Sequence, residues 1–514
     1  MSRTKNAIKN AFFGLLGKIL NLIFGFASRT VFIYILGNTY LGVNGLYSEI
    51  LSLLSFAELG FGSAITFTMY KPVAENEHET VVRLLSFFKT VYRIVAIIIT
   101  VLGLSVLPFL PYVVKGADWL TINELRIYFL FFLFNTVIGY LVSYKYTYLN
   151  ALQKNYVQIN IDTVVNIISF TIQIIVIVIF KNFLLYLLVN SLVLLSSRLF
   201  ITIYLDKKYP ILKEQAVQKL SKEERQPIYK EVRGLAMHQF ASVAVHSTDN
   251  VLISTFTSQG ITSVGLISNY TLLINSVLGF VTTLFNSVVS GFGNLVASST
   301  IENFRKVFKE INFVSFWIYG FCSIAFWILI PPFITLWIGA DKVINEVAFT
   351  LMIINCYFQG QSTAYHNARI AKGNFNMDKW WAVLQAITNL IVSVICVNFF
   401  DLVGIYIGTV VSRLVYIILR PYSTYRFLFG ESSVKYYKKM IHYFLIVVFA
   451  AVCTKTITNC IFESINFFTF VLGVITVFVI PNTIFYICSR KTYEFEMCKV
   501  RMKNIIQKGR KINE

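Results

Sequence analysis

Two positively charged side chains lie inside an apolar stretch near the start of the chain. The segment KILNLIFGFASRT, residues 18–30, is hydrophobic enough for a membrane helix, yet it contains Lys18 and Arg29. At 100° per residue, the two side chains fall within about 20° of each other on one helix face. Ionised groups cost about 2.5–3.5 kcal/mol or more at the centre of a membrane helix, so they usually face a polar cavity or a partner. Both are therefore candidate ligands for an anionic group, and snorkelling toward the cytoplasm is the alternative for Lys18.

A second set of ionisable side chains lies on an apolar segment near the middle of the chain. Asp249, His238 and His246 cluster on one side of the helix predicted for residues 234–258. An alignment of the chain with itself at an offset of 220 residues carries Arg29 onto Asp249. Titratable groups inside a membrane exchange protons or pair with cations, so we predict a coupling or gating role for these three residues. A structural ion pair between Asp249 and a neighbouring cation is the alternative.

Three further charged residues are candidates for the lining of a cavity. Arg93 and Arg413 are candidate anion ligands, and Glu58 is a candidate coupling or gating group. Glu49 lies nine residues before Glu58, on the opposite face of a helix, so the two are not expected to form a carboxylate pair. Snorkelling explains Arg93 equally well. Other intramembrane charges whose role stays open are Arg198, Asp162, Arg369 and Lys372.

The composition indicates a membrane protein. Of 514 residues, 56% are hydrophobic, 16% are aromatic and only 14% are charged, which is too apolar for one soluble core. The net charge of +20 would suit nucleic acid in a soluble protein, but the Lys and Arg residues fall between apolar runs and indicate membrane topology. The seven cysteines show neither metal-ligand spacing nor a disulfide framework. Nucleotide-binding motifs are absent from the sequence as well, so we expect no cofactor, no metal and no ATP-driven pump.

The apolar runs predict an all-α polytopic fold. About twenty apolar residues span a bilayer as one helix, and this length predicts about fourteen spans. Their approximate positions are 11–36, 42–69, 86–113, 122–148, 157–180, 183–204, 234–258, 263–295, 310–336, 344–370, 381–400, 403–424, 441–460 and 467–489. The first span has no convincing cleavage site, and we interpret it as an uncleaved helix. Basic residues concentrate in alternate loops, which places those loops and both termini in the cytoplasm.

An internal repeat divides the first twelve spans. From residue 41 to residue 118, an offset of 223 holds without a gap and matches Gly42 with Gly265. The extracellular turn Gly116-Ala117-Asp118 recurs at this offset as Gly339-Ala340-Asp341. The constant register predicts two six-helix lobes in the same orientation, followed by two C-terminal helices. The predicted parts are the lobes 1–205 and 234–430, the cytoplasmic linker 206–233, the two further spans in 431–489 and the basic cytoplasmic tail 490–514.

Three segments resemble a known family. They are RTVFIYILGNTYLGVNGLYSEILSLLSFAELGFGSAITFTMYKPVAEN (29–76), PFLPYVVKGAD (108–118) and STDNVLISTFTSQGITSVGLISNYTLL (247–273). They are similar to Wzx-type oligosaccharide flippases of the polysaccharide transporter branch, whose superfamily also holds lipid II flippases and multidrug and toxin extrusion transporters. The resemblance covers the first twelve spans. It implies two six-helix lobes around a central, commonly cationic cavity that opens alternately to each side.

The resemblance also implies a function. Such proteins move an undecaprenyl-pyrophosphate-linked oligosaccharide to the outer leaflet of the bacterial cytoplasmic membrane, for capsule or exopolysaccharide synthesis. Because Arg and Lys suit phosphate oxygens, the expected pyrophosphate ligands are Arg29, Lys18, Arg93 and Arg413. The expected coupling or gating residues are Asp249, His238, His246 and Glu58, with a proton or sodium gradient as the energy source. We expect a monomer, and other polysaccharide assembly proteins are further candidate partners.

Several alternatives stay open at the level of sequence. A flippase for lipid II or a teichoic-acid precursor, or a multidrug/cation antiporter, would have the same fold. Carriers of organic cations prefer carboxylates, so the cations of the first span count against the antiporter. A membrane polymerase or glycosyltransferase would need a sizeable outer loop with acid/base residues, whereas the outer loops here are short, so we expect no enzyme. A scaffold that recruits synthesis enzymes through its basic loops is a third class.

Overall fold

The protein is all-helical, as the sequence predicts. The computed structural model describes residues 3–58, 61–298, 300–372, 378–501 and 503, and for part of these, His238 and His246 included, the backbone only. No strand occurs in these ranges. The helices are α1 (Arg3–Leu54), α2 (Phe61–Ala74), α3 (His78–Val106), α4 (Leu110–Val113), α5 (Ile122–Ala151), α6 (Asn155–Phe180), α7 (Phe183–Lys208), α8 (Lys222–His246), α9 (Asp249–Phe256), α10 (Ile261–Ser298), α11 (Ile301–Ile338), α12 (Glu346–Gln361), α13 (Thr363–Lys372), α14 (Lys379–Phe400), α15 (Leu402–Thr424), α16 (Val434–Ile461) and α17 (Phe467–Ser489).

The chain is a multi-pass membrane protein. Eleven helices of the described chain are long and apolar enough to cross a bilayer. Their outer faces carry large apolar side chains such as Ile97 and Phe399, which are 63% and 77% exposed. A continuous apolar exterior of this kind is stable against lipid and not against water. The prediction of a polytopic membrane fold is therefore confirmed.

Three of the predicted spans are not single helices. The predicted span 42–69 is divided between the end of α1 and α2, with a 3-10 turn at Ser55–Glu58 between them. The predicted span 234–258 is divided between α8 and α9, and 344–370 between α12 and α13. Each piece alone is too short or too polar to count as a spanning helix, so the number fourteen stays a prediction. Breaks in spanning helices are tolerated where the backbone lines a cavity or is covered by protein.

Helix α1 bends at a single glycine. Gly37 has φ 85° and ψ 174°, a conformation that a residue with a Cβ rarely adopts. The first predicted span ends at residue 36, immediately before this bend. The predicted end of the first span therefore coincides with the bend of α1.

Residues 1–268 form the first of two compact units. In this unit α1 packs along α6, where Gly17 leaves no room for a side chain beside Thr163 and Ile159. One turn later, Asn166 on α6 donates from Nδ2 to Oδ1 of Asn21 on α1 at 3.0 Å. Small residues and amide hydrogen bonds of this kind hold membrane helices together, since lipid leaves little hydrophobic drive for their association.

Residues 269–514 form the second unit, in which α11 is the most buried spanning helix. The C-terminal helices α16 and α17 pack directly on α11. Tyr443 of α16 stacks on Phe316 with ring centroids 4.2 Å apart, and Trp317 donates from Nε1 to Oδ1 of Asn482 at 2.8 Å. The two helices beyond the repeat are thus integral to this unit.

Candidate functional site

Arg29 is held in place by a hydroxyl group from a distant part of the first unit. Its Nη2 donates a hydrogen bond to Oγ of Ser268 on α10. The Ser268 hydroxyl in turn donates to the carbonyl oxygen of Gly265 at 2.7 Å, which leaves its oxygen lone pairs directed at the guanidinium. A guanidinium has five N–H donors in one plane, so Ser268 occupies only part of its capacity.

The surroundings of Arg29 are aromatic as well as polar. Tyr186 of α7 lies close enough to interact with Arg29 electrostatically, and its hydroxyl hydrogen-bonds to the side chain of Asn44. The Tyr186 ring packs against Phe32 and Phe183, at centroid distances of 5.3 and 5.8 Å. These contacts fix the phenol, and they place a rigid polar wall beside a permanent positive charge. Such a charge in a low-dielectric setting binds anionic oxygens strongly.

Lys18 lies on the same helix as Arg29, and α1 is unbroken between them. An unbroken helix is required if Lys18 and Arg29 are to lie on one helix face, as predicted. The Lys18 side chain is exposed, whereas its neighbour Gly17 faces α6. The role of Lys18 as an anion ligand stays a prediction.

Asp249 lies beside a second carboxylate that the sequence did not associate with it. Glu49 accepts a hydrogen bond at Oε2 from the backbone N–H of Asn250, at 3.2 Å, and it interacts electrostatically with Asp249. One turn from Glu49, the hydroxyl oxygens of Ser52 and Ser247 are 3.0 Å apart. Two neighbouring carboxylates repel each other unless a proton or a cation reduces their charge. The neighbouring carboxylates of Asp249 and Glu49 are therefore suited to binding a proton or a cation.

Glu58 lies apart from Glu49, in a cavity of its own. The helix breaks at Ser55–Glu58, and the Glu58 carboxylate accepts hydrogen bonds from Tyr92, Tyr140 and the backbone N–H of Gly62. The cavity has a volume of about 580 Å³. Helix periodicity predicted that Glu49 and Glu58 would not form a carboxylate pair, and their separate positions agree with that prediction.

Tyr146 of the same cavity wall contacts two charged side chains whose role the sequence left open. Tyr146 donates from its hydroxyl to Oδ1 of Asp162 at 3.3 Å and accepts from Nη1 of Arg198 at 3.1 Å. Asp162 and Arg198 form an ion pair, with Oδ1 and Nη1 3.6 Å apart. These two charges therefore stabilise the position of Tyr146.

The remaining predicted site residues are scattered. Arg93 is exposed on α3 beside the exposed apolar side chains of Ile94 and Ile97, and it does not line the Glu58 cavity. Arg413 is buried in the second unit, where its Nε donates to Oδ1 of Asn355 at 2.9 Å. The side chains of His238 and His246 lie outside the described part of the chain. The roles predicted for these four residues stay predictions.

The structure contains a buried charge cluster that sequence reasoning missed. Asp378 is 1% exposed, and it accepts hydrogen bonds from both Arg369 and Arg420. The Arg420 guanidinium also lies over the ring of Tyr416, 4.4 Å from its centroid. Arg369 and Asp378 are nine residues apart and Arg420 is 42 residues further on, so no local pattern indicates the cluster.

A second missed contact lies in the first unit, where Lys145 is almost fully buried. Its Nζ is 2.5 Å from Oδ1 of Asp206. Lys145 follows a stretch of α5, residues 127–144, that contains no charged residue, and this charge in a mostly apolar helix was the available sequence signal. The pair links α5 to α7.

Comparison with known proteins identifies the fold. No protein-family model matches the chain, and no curated protein matches its sequence. Among solved structures, it is similar to the lipid II flippase MurJ in an inward closed conformation, with a TM-score of 0.65 and 15% identity, covering 94% of this chain and 99% of that chain. It is also similar to an inward-facing multidrug resistance MATE family transporter of the MOP superfamily, with a TM-score of 0.61 and 15% identity, covering 78% of this chain and 92% of that chain.

A transporter of the MOP superfamily from Pyrococcus furiosus is similar as well. Its TM-score is 0.54 and its identity is 12%, covering 82% of this chain and 94% of that chain. At these identities the likeness shows the fold alone. The chain has the fold of the MOP-superfamily transporters and flippases, and these structural neighbours are transporters rather than enzymes.

Proposed function

We propose that the protein is a flippase that moves an undecaprenyl-pyrophosphate-linked oligosaccharide from the cytoplasmic to the outer leaflet by alternating access. The observation that carries this proposal is Arg29, a permanent cation inside a spanning helix, oriented by Ser268. A lipid pyrophosphate is polyanionic, and a planar guanidinium can bind two of its oxygens at once. The MOP-type fold supports a transport role.

The lipid part of the cargo would stay in the bilayer, while its pyrophosphate and sugars pass through the protein. A pyrophosphate cannot cross hydrocarbon unaided, because each charge would have to lose its water without compensation. Fixed cations and polar walls inside the protein offset that loss. We propose the same role of pyrophosphate ligand for Lys18, Arg93 and Arg413.

A flippase for lipid II is the second candidate. Lipid II also carries a pyrophosphate, and one specific observation favours this candidate. The match with the lipid II flippase covers 94% of this chain, whereas the matches with the multidrug resistance MATE family transporter and with the Pyrococcus furiosus transporter cover 78% and 82%. The Arg29 site would bind the pyrophosphate of either cargo, and the two cargos differ in their sugars.

Deletion of the gene tests the proposal. If the protein flips lipid-linked oligosaccharide, that lipid should accumulate on the inner leaflet of the deletion strain, and re-expression of the chain should clear it. Mass spectrometry of extracted lipids identifies the accumulated species. Accumulation of lipid II would support the second candidate. An unchanged lipid profile, together with increased sensitivity to cationic drugs, would contradict both and support an antiporter.

A further inference from the structure

The Glu58 cavity continues into a second cavity, and together they form a long polar groove in the first unit. The second cavity has a volume of about 520 Å³ and shares Thr66, Tyr70 and Asn150 with the first. Both volumes lie within the range of about 300–1,000 Å³ that is usual for ligand sites. We call this combined space the α2–α5 groove, after the helices that supply its shared residues.

The groove lining is built from neutral hydrogen-bonding groups and aromatic rings. Its amides come from Asn10, Asn150, Gln153, Asn155 and Gln158, and its hydroxyls come from Thr66, Ser143 and Thr147 in addition to three tyrosines. Among the described lining residues there is neither Lys nor Arg, so the groove does not select phosphate. Amides and hydroxyls donate and accept hydrogen bonds alike, which suits a ligand rich in hydroxyl groups.

Two aromatic side chains of α2 stand open at the groove. Phe67 is 66% exposed and Tyr70 is 44% exposed, and their rings meet edge to face with centroids 6.5 Å apart. The electron-rich face of such a ring attracts the polarised C–H groups on one face of a sugar. A sugar ring stacked there would keep its hydroxyl rim toward the amides.

The only described acidic group in the lining, Glu58, is already oriented by neighbouring residues. Its carboxylate accepts hydrogen bonds from Tyr92, Tyr140 and the Gly62 backbone. Tyr92 is likewise fixed by Glu58 and Thr147 within the wall, and Tyr146 is fixed by Asp162, which does not line the groove. A rigid, pre-arranged lining lowers the entropy lost on binding a ligand.

A comparison within the same unit shows that this polarity is particular to the groove. A crevice of nearly equal volume, about 570 Å³, lies between α3 and α5. It is lined by Leu104, Leu130 and Phe134 together with other apolar residues and a single threonine. That crevice offers a hydroxyl-rich ligand one hydroxyl group at most, whereas the α2–α5 groove offers many hydrogen-bonding groups.

We infer that the α2–α5 groove binds the glycan portion of the cargo, separately from the Arg29 site. Asn10 in the groove and Arg29 are nineteen residues apart on the unbroken part of α1, which corresponds to about 28 Å. The groove lies at the ends of α2 and α5 that are predicted to be cytoplasmic, where a sugar-bearing lipid would enter. This inference rests on the proposed function, since it assigns the sugars of the same cargo.

The test compares two lipids on the purified full-length protein in nanodiscs. One probe is the lipid-linked oligosaccharide recovered from the deletion strain, and the other is undecaprenyl pyrophosphate without sugar. Tyr70→Ala and Asn150→Ala should each weaken binding of the glycan-bearing lipid about tenfold, as expected for a lost ring contact or hydrogen bond. Neither variant should change binding of the bare lipid. Tyr70→Phe should bind both lipids as the wild type does, because the ring is kept.

Phe134→Ala is the matched control. Phe134 is also 44% exposed, and it lines the apolar crevice instead of the groove. The control should bind the glycan-bearing lipid normally. Equal binding of that lipid by Tyr70→Ala, Asn150→Ala and the control would overturn the inference and leave the proposed function intact.

Two other outcomes are decisive. Tighter binding of tetraphenylphosphonium than of the glycan-bearing lipid, lost in Glu58→Gln, would assign the groove to an organic cation and overturn the inference. Absence of any accumulated lipid-linked oligosaccharide in the deletion strain would contradict the proposed function, and the inference would fall with it.

Discussion

Thr39 and Thr262 face each other with their hydroxyl oxygens 3.4 Å apart, and they are separated by 223 residues. That separation equals the offset of the predicted internal repeat, which holds from residue 41, two residues further along the chain. Thr39 follows the bend of α1 at Gly37, and Thr262 lies in the first turn of α10. The segments that directly precede residues 41 and 264, where the two predicted repeats begin to match at this offset, therefore meet in the first unit.

The contacts around this pair are reciprocal. A Cβ at Gly42 would collide with the carbonyl oxygen of Ile261, and a Cβ at Gly265 would collide with the carbonyl oxygen of Asn38. Gly42 and Gly265 are matched in the predicted repeat. The two backbones cross with local two-fold symmetry, and this close approach is open only to glycine.

Gly265→Ala should open this crossing. The added methyl group meets backbone rather than a flexible side chain, so the helices must separate. In a cysteine-free protein carrying Thr39→Cys, a membrane-impermeant thiol reagent added from outside should label the cysteine several-fold faster in the Gly265→Ala variant. Gly279→Ala on the same helix is the control, since a Cβ there meets nothing within 4 Å. Equal labelling of the two variants would show that the crossing does not control access.

Arg29→Ala should abolish flipping while the protein stays inserted and folded. Arg29→Lys should be only partly tolerated, because a point charge replaces a fork that holds two oxygens. Arg126→Ala, which removes an exposed arginine on α5, is the control. The measurements are inner-leaflet lipid accumulation, expression level and thermal stability. Restored function in the charge-swapped pair Arg29→Asp with Asp249→Arg would instead indicate a structural ion pair.

Asp249→Asn and Glu49→Gln should each reduce transport at least tenfold without loss of protein, if this carboxylate pair couples transport to an ion gradient. Either change removes one of the two charges whose repulsion a proton or cation relieves. Transport should be measured before and after the proton or sodium gradient is collapsed, with the exposed Asp118→Asn as control. Normal transport with an unchanged response to gradient collapse would exclude the coupling role.

Asp378→Asn should destabilise the second unit. The substitution leaves two buried guanidinium groups without their carboxylate, a loss of about 3–5 kcal/mol for a buried ion pair. The thermal midpoint of the purified protein should fall by many degrees. Asp341→Asn, which removes an exposed carboxylate paired with Lys342, should leave the midpoint nearly unchanged. Similar midpoints for the two variants would contradict a stabilising role for the cluster.

Acid should loosen the start of α8 through Glu224. The pKa of Glu224 is lowered, chiefly because its carboxylate accepts a hydrogen bond from the backbone N–H of Ser221, with Arg83 adding an ion pair at 2.9 Å. Because the pKa of Glu224 is lower in the folded than in the unfolded state, its ionised carboxylate stabilises the folded helix start above pH about 4.3, the pKa in the unfolded state. This stabilisation is lost as the pH falls through the pKa of the folded state.

Hydrogen exchange of residues 221–228 measures this effect. Opening should become more frequent in acid in the wild type, after correction for the pH dependence of intrinsic exchange. Glu224→Gln should show frequent opening already at neutral pH and little further change. If opening in the wild type did not depend on pH, the hydrogen bond between Glu224 and Ser221 would not control opening at the start of α8.

The sequence indicated two glycine-containing turns at matching positions of the predicted repeat. Gly116 and Gly339 have φ values of 78° and 108°, so both turns place a glycine in the left-handed region at equivalent positions. The bend of α1 at Gly37 also falls where the first predicted span ends. These features depend on local residue type, which the sequence displays directly.

Other features depend on contacts between distant residues, and local patterns do not display them. The breaks at Ser55–Glu58 and before Asp249 coincide with short polar interruptions, which hydropathy averaged over the length of a span does not resolve. Likewise, the neighbour of Asp249 is Glu49, 200 residues away in the chain, and helix periodicity could only exclude Glu58 as the partner of Glu49. The charge cluster at Asp378 exists only once three helices have packed.

The reciprocal crossing at Gly42 and Gly265 has the form of an isologous interface, in which one patch binds a copy of itself. Two separate chains of about half this length could make the same contact as a homodimer. Gene duplication and fusion would then convert that dimer into one chain without any change at the crossing. The fused halves are free to diverge elsewhere, as the alignment of Arg29 with Asp249 indicates. What began as a symmetric association surface would survive as a contact inside a single polypeptide.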